Sequence, residues 1–252
     1  MIIKLYPTPA DFENISRLRT EISECANDFD FSKVVVNKPW GYEYLWYQNP
    51  SVAAWMLFLK QGDATSLHSH LRKRTSLIVV SGEVVCSTFD DRYKLQPADS
   101  IVLEPCVFHT TQAISREGAF VIEVETPPMK GDLVRLKDSF GREKIGYEQQ
   151  SQYSRNFSAY EYKPFRKDKG KFLQTFGSLT FSLQSVQKRD EVVAVCENKL
   201  LIVPFLGRLI SGKITLIETG EAANPTDLDL SILPPLFPPV ELLIIDTSNP
   251  KL

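Results

Sequence analysis

The feature that most constrains the fold is a succession of short apolar segments, none of which runs far before a turn signal cuts it. From residue 34 the chain reads VVV (34–36), YEYLWY (42–47), AAWMLFLK (53–60), SLIVVS (76–81), EVVCSTF (83–89), SIVL (100–103) and AFVIEVE (119–125). Between them stand QGDAT, SGE, QPADS and SREG. Segments of this length, bounded by Gly, Pro, Asp and Ser, are strands rather than helices. They resume at SLTFSLQSV (178–186), LLIVPFL (200–206), GKITLIE (212–218) and VELLIID (240–246). The run PTDLDLSILPPLFPPV (225–240) is too rich in proline for a helix or a central strand. The pattern predicts an all-β chain built as barrels or sandwiches. One helix is expected, near the N-terminus. Thr8 caps it, Pro9 takes its first position and Asp11 lies three residues after the cap. Phe12, Ile15, Leu18 and Ile22 then share a face, expected to pack across a sheet or another subunit.

A chain of 252 residues suits one large β unit or two small domains. A polar stretch at 146–170 is the expected linker. The division is then a helical segment at 1–30, a first barrel at 31–150 and a second at 151–252. SGEVVCSTF (81–89) parallels SGKITLIET (211–219), a faint repeat that agrees with two related barrels. The net charge of -2 argues against a nucleic-acid partner. No apolar run approaches the roughly 18 residues needed to cross a bilayer, and no membrane partner is expected. With no secretion signal and four scattered cysteines (Cys25, Cys86, Cys106, Cys196), a cytoplasmic protein with free thiols is expected.

Only three histidines occur: His68, His70 and His109. Residues two apart on a strand point the same way, so His68 and His70 can project together into a barrel. His109 follows the strand SIVL and the turn at Glu104-Pro105-Cys106, where it can complete a facial set. Three neutral imidazoles suit one divalent transition metal (Zn, Mn, Fe, Co or Ni), with positions left open for water or substrate. An HxH pair alone is often accidental and solvent-exposed.

The spacing resembles the two motifs of the cupins. Gly62, His68, His70 and Gly82 match the first motif and His109 the second. The motif's glutamate falls on Thr75. The second motif's proline and glycine fall on Glu104 and Cys106, and the glycine that opens it falls on Ala98. This implies a bicupin, two jelly-roll barrels of which the second, lacking histidine, is degenerate. It also implies His68, His70 and His109 as metal ligands. Thr75 is a candidate holder of water and Cys106 a candidate substitute ligand, although a lone cysteine is more often a small buried hydrophobe.

A finer resemblance is to the type II mannose-6-phosphate isomerases. It is carried by KPWGYEYLW (38–46) and IEVETPPMKGDLVRLKDSFGR (122–142), and covers 38–142 in order. It implies a sugar-phosphate ligand, with Arg135 and Arg142 at the family's closing arginines; the bland alternative for each is an ion pair with Asp132, Glu125 or Asp138. Guanidinium groups can grip phosphate or steady an oxyanion. Glu123 is the leading base and Lys73 the alternative. Glu123 and Glu125 share a face with Val121, either barrel interior or solvent. LRKRT, with Arg72 and Arg74 beside Lys73, is read as a solvated edge in preference to a phosphate site. Two other functions are open. One is a non-catalytic sugar or nucleotide-sugar binder using Trp40, Tyr42, Tyr44, Trp46 and Tyr47, if these are not simply core. The other is a three-histidine iron oxygenase. A homodimer is expected.

Overall fold

The computed structural model describes residues 1–18, 29–142, 147–168 and 170–247. Ile22 and Cys25 lie outside the described residues. Strand β1 (Ile2–Leu5) and helix α1 (Pro9–Arg17) lead into β2 (Val35–Lys38), β3 (Gly41–Gln48), β4 (Ala53–Leu59), β5 (Leu67–Ser69) and β6 (Arg74–Ser81). Next come β7 (Val84–Ser87), β8 (Arg92–Leu95), β9 (Ser100–Leu103), β10 (Thr110–Ala113), β11 (Ala119–Thr126) and β12 (Val134–Lys137). The remainder forms β13 (Tyr153–Ser154), β14 (Phe172–Phe176), β15 (Leu179–Val186), α2 (Arg189–Cys196), β16 (Leu201–Leu206), β17 (Leu209–Ser211), β18 (Ile214–Ile217) and β19 (Val240–Thr247).

An eight-stranded sheet in the order β1-β9-β6-β11-β4-β3-β2-β13 organises the molecule. One face closes on the sheets β10-β7-β8 and β12-β5, with Trp55, Leu57, Leu77, Ile101, Val121 and Cys86 in the core between. The other face packs on a second, four-stranded sheet, β14-β15-β19-β16, through Tyr44, Trp46, Met56, Phe181, Val203 and Ile245. A third core, including Val192, Ile202, Leu209, Leu233 and Leu242, lies on the far side of that sheet. Since β4, β6 and β11 are covered on both faces, they read as continuous apolar runs instead of alternating patterns.

Several elements differ from expectation. Residues 2–5 of the helical N-terminal segment form β1, parallel to β9. Helix α1 stops at Arg17, before Leu18, and its apolar face does not pack as expected: Phe12 is 54% exposed, and the buried residue of the helix is Asp11. The polar stretch after 146 is a packed strap rather than a free linker. Its β13 pairs with β2, and Tyr160 and Tyr162 lie against Tyr42 and Tyr44 at 4.9 and 4.7 Å between ring centroids. Tyr42, Tyr44, Trp46 and Tyr47 belong to this inter-sheet packing, so they are core and not a sugar-stacking surface. Of that aromatic set, Trp40 reaches the cavity described next.

Candidate metal centre

His68 lies on β5 and His109 just before β10; the two pair across an antiparallel bridge, exchanging backbone hydrogen bonds of 3.0 and 2.8 Å. His70 follows β5 and returns to the same face, the period-2 consequence of HxH. The rings cluster with centroids 4.4–5.5 Å apart. One nitrogen from each lies within 4.8 Å of the others. Each Nδ1 donates to a backbone carbonyl: His68 to Ser66 at 2.7 Å, His70 to Asp132 at 2.6 Å and His109 to Val107 at 3.1 Å. Those bonds fix the tautomer and leave three Nε2 lone pairs inside the cluster. His70 Nε2 is buried with no hydrogen-bond partner. Burial, helped by neighbouring imidazoles and Lys73, holds His68 and His70 well below the ordinary histidine range, and His109 at about 4. The set is therefore neutral at pH 7, the form that ligates metal. An orphaned acceptor beside two oriented imidazoles fits a divalent transition metal.

Thr75, where the cupin motif has glutamate, is buried on the same side of β6 as Leu77, and its Oγ1 has no partner. The carboxylates come from the adjacent strand instead. On β11, Glu125 stands opposite Thr75, and Glu123 opposite Leu77. Both therefore point into the barrel and not into solvent. Glu123 Oε1 lies 4.0 Å from His70 Nε2. Burial pushes the Glu123 carboxyl up despite Lys130 and Lys73. For Glu125 the same burial is outweighed by Lys73 and Lys130, which hold it below normal.

Lys73 corrects the expected solvated edge. It is 2% exposed, with Nζ 2.7 Å from Glu125 and 3.8 Å from Glu123. Its loop is pinned by Asp132, whose carboxylate accepts from the backbone N–H groups of Leu71, Arg72 and Lys73 at 2.8–3.1 Å. Arg74 pairs with Glu104 at 3.0 Å. Arg135, on β12, lies opposite His68; its Nε donates to Ser66 Oγ at 3.3 Å and it pairs with Glu148 at 3.4 Å. Arg142 is held by Asp138 at 2.7 Å and Glu148 at 2.6 Å, one of the ion pairs weighed as its bland alternative. Cys106 is outside the histidine cluster, its Sγ 3.9 Å from the Leu71 carbonyl.

Five residues that sequence reasoning missed complete the site: Lys38, Glu43, Lys130, Tyr147 and Glu148, all lining the same cavity of about 50 Å³. Lys38 pairs with Glu148 and, at 3.3 Å, with Glu43; Lys130 pairs with Glu43 at 3.0 Å and lies 3.7 Å above the Trp55 ring. Tyr147 Oη donates to Glu43. Burial would raise Glu43, but Lys130 and Lys38 hold it at about 2. The available signal was a charge inside an apolar run, Lys38 after VVVN and Glu43 within YEY. In a strand buried on both faces, such a charge must be paired.

The strand order, the two-layer closure and three histidines aimed inward decide the architecture. The fold is all-β. No family model and no curated protein matches the chain. Among solved structures, KdgF from Halomonas sp. aligns at 18% identity over 42% of this chain and 94% of its own, with a TM-score of 0.36. An RmlC-like cupin from Shewanella frigidimarina aligns at 18% over 40% of this chain and 90% of its own, with a TM-score of 0.35. A putative sugar phosphate isomerase from Acidithiobacillus ferrooxidans aligns at 17% over 30% of this chain and 50% of its own, with a TM-score of 0.29. Each alignment covers less than half of this chain.

Proposed function

We propose that this chain is a cupin that binds a divalent transition metal through His68, His70 and His109 and isomerises a small sugar phosphate between aldose and ketose forms. The observation that carries the reading is the convergence of three Nε2 atoms whose Nδ1 partners are all backbone carbonyls. A bound metal would supply the Lewis acid that polarises a carbonyl oxygen. Glu123 takes a proton from the carbon beside the carbonyl and returns it to the former carbonyl carbon, while the hydroxyl proton passes between the two oxygens. Its burial suits this role, because a carboxyl raised toward neutrality is a stronger base and a usable acid. Lys73 donates to Glu125 and so acts as the counter-ion that keeps Glu123 in place, not as the base. Arg135, beside His68, is the group that reaches substrate oxygen.

Elemental analysis of purified wild type beside the His68→Ala, His70→Ala double variant decides first. About one equivalent of metal is expected in wild type and none in the variant. Mannose 6-phosphate isomerisation, lost in Glu123→Gln with metal retained, is the expected second result. A wild type that takes up no metal on reconstitution sinks the metalloenzyme reading. Iron together with oxygen uptake would redirect it to an oxygenase.

A further inference from the structure

Three cations converge on a single carboxylate at the mouth of the site. Glu148 receives Arg142 at 2.6 Å and Arg135 at 3.4 Å, and pairs with Lys38. Glu148 is 8% exposed. Tyr147 and Lys38 stack beside it, with Lys38 Nζ 4.0 Å from the Tyr147 ring centroid. The histidine cavity of about 50 Å³ is too small for a hexose phosphate, yet a second cavity of about 420 Å³ adjoins it at Glu148. Lys38, Arg142 and Glu148 line both. The ion cluster is thus a partition between two chambers, and its centre is an anion supplied by the chain itself.

We infer that Lys38, Arg135 and Arg142 form a phosphate subsite for which Glu148 is the resident, displaceable occupant. This rests on the sugar-phosphate reading and names how that ligand is held. A dianionic phosphate offers three acceptor oxygens to three donors arriving from different residues, which one carboxylate matches poorly. Displacement of Glu148 joins the two chambers and places the phosphate between them, where the Glu148 carboxylate now sits among the three cations. The sugar then lies toward the histidines, because Arg135 links both ends: it faces His68 across the β5–β12 ladder and bonds Ser66, whose carbonyl orients His68.

The test is titration calorimetry of inorganic phosphate into the full-length protein, with metal content matched between variants. Glu148→Gln removes the competing charge and is expected to bind phosphate about tenfold more tightly than wild type. Adding Arg142→Gln to that variant is expected to abolish the gain. Mannose 6-phosphate should show the same gain, and mannose none. Unchanged or weaker phosphate affinity in Glu148→Gln overturns the inference. If Glu148→Gln does not fold, Glu148→Asp, which withdraws the carboxylate by one methylene, should show a smaller gain. Failure of both to fold makes Glu148 structural and also overturns it. Metal uptake and isomerisation without a Glu148 effect defeat this inference alone, whereas a Glu148 effect without metal or turnover defeats the functional reading and leaves the subsite.

Discussion

Ala98 and Cys106 show how a motif survives the loss of its glycines. Both occupy positions where the cupin pattern has glycine, and both adopt the left-handed backbone that glycine tolerates, with φ of 69° and 77°. A side chain there costs roughly 1–2 kcal/mol. Replacing Ala98 or Cys106 by glycine is therefore expected to stabilise by about 0.5–1 kcal/mol each, after allowing for the extra freedom glycine gives the unfolded chain. Denaturant midpoints would read the gain; a loss in both variants would mean that the side-chain packing of Ala98 and Cys106 outweighs the strain. The conformation could not be read from the sequence, since a single chain carries the glycine-less motif without its dihedral angles. The histidines were legible, because the two-residue spacing of His68 and His70 fixes a shared face on any strand.

At the scale of the element, α1 is attached by a carboxylate and not by its apolar stripe. Asp11 accepts from the Thr8 backbone N–H at 2.7 Å and from Thr8 Oγ1 at 2.9 Å, closing the cap, and from the Phe108 N–H at 2.8 Å. Phe108 precedes His109, so the helix cap also steadies a ligand-bearing segment. Asp11→Ala leaves a buried N–H without a partner and an uncapped helix, a loss on the order of 2 kcal/mol. A lower melting temperature and weaker metal binding are expected together, while Glu13→Ala on the exposed side of α1 should change neither. An unchanged metal affinity in Asp11→Ala would separate the helix from the site. The cap was legible from Thr8, Pro9 and Asp11; the second bond of Asp11 was not, because its partner lies 97 positions away.

The whole molecule is joined by the apolar face between its two larger sheets. Trp46, on β3, meets Phe165 and Phe172 at 5.4 Å and Phe181 at 5.8 Å, and its Nε1 donates to Gln174 at 3.2 Å. The four-stranded sheet β14-β15-β19-β16 shares its core with the eight-stranded sheet, so the two are expected to unfold together. On that view unfolding is a single cooperative transition, and Trp46→Ala lowers the stability by about 3–5 kcal/mol, shifting the midpoint without splitting the transition. Two transitions in wild type would show that the units fold separately. The longer apolar strands, from β2 to β19, and the shared face of His68 and His70 follow from sequence, since period, turn chemistry and spacing are local properties, whereas the short β8, β10, β12, β13, β14 and β17 and helix α2 carry no apolar run long enough to be read. The inward face of Glu123 and Glu125, the burial of Lys73 and the cluster around Glu148 were decided only by tertiary structure. A sheet covered on both sides loses the alternation that would assign its faces, and long-range ion pairs leave no periodic trace in the chain.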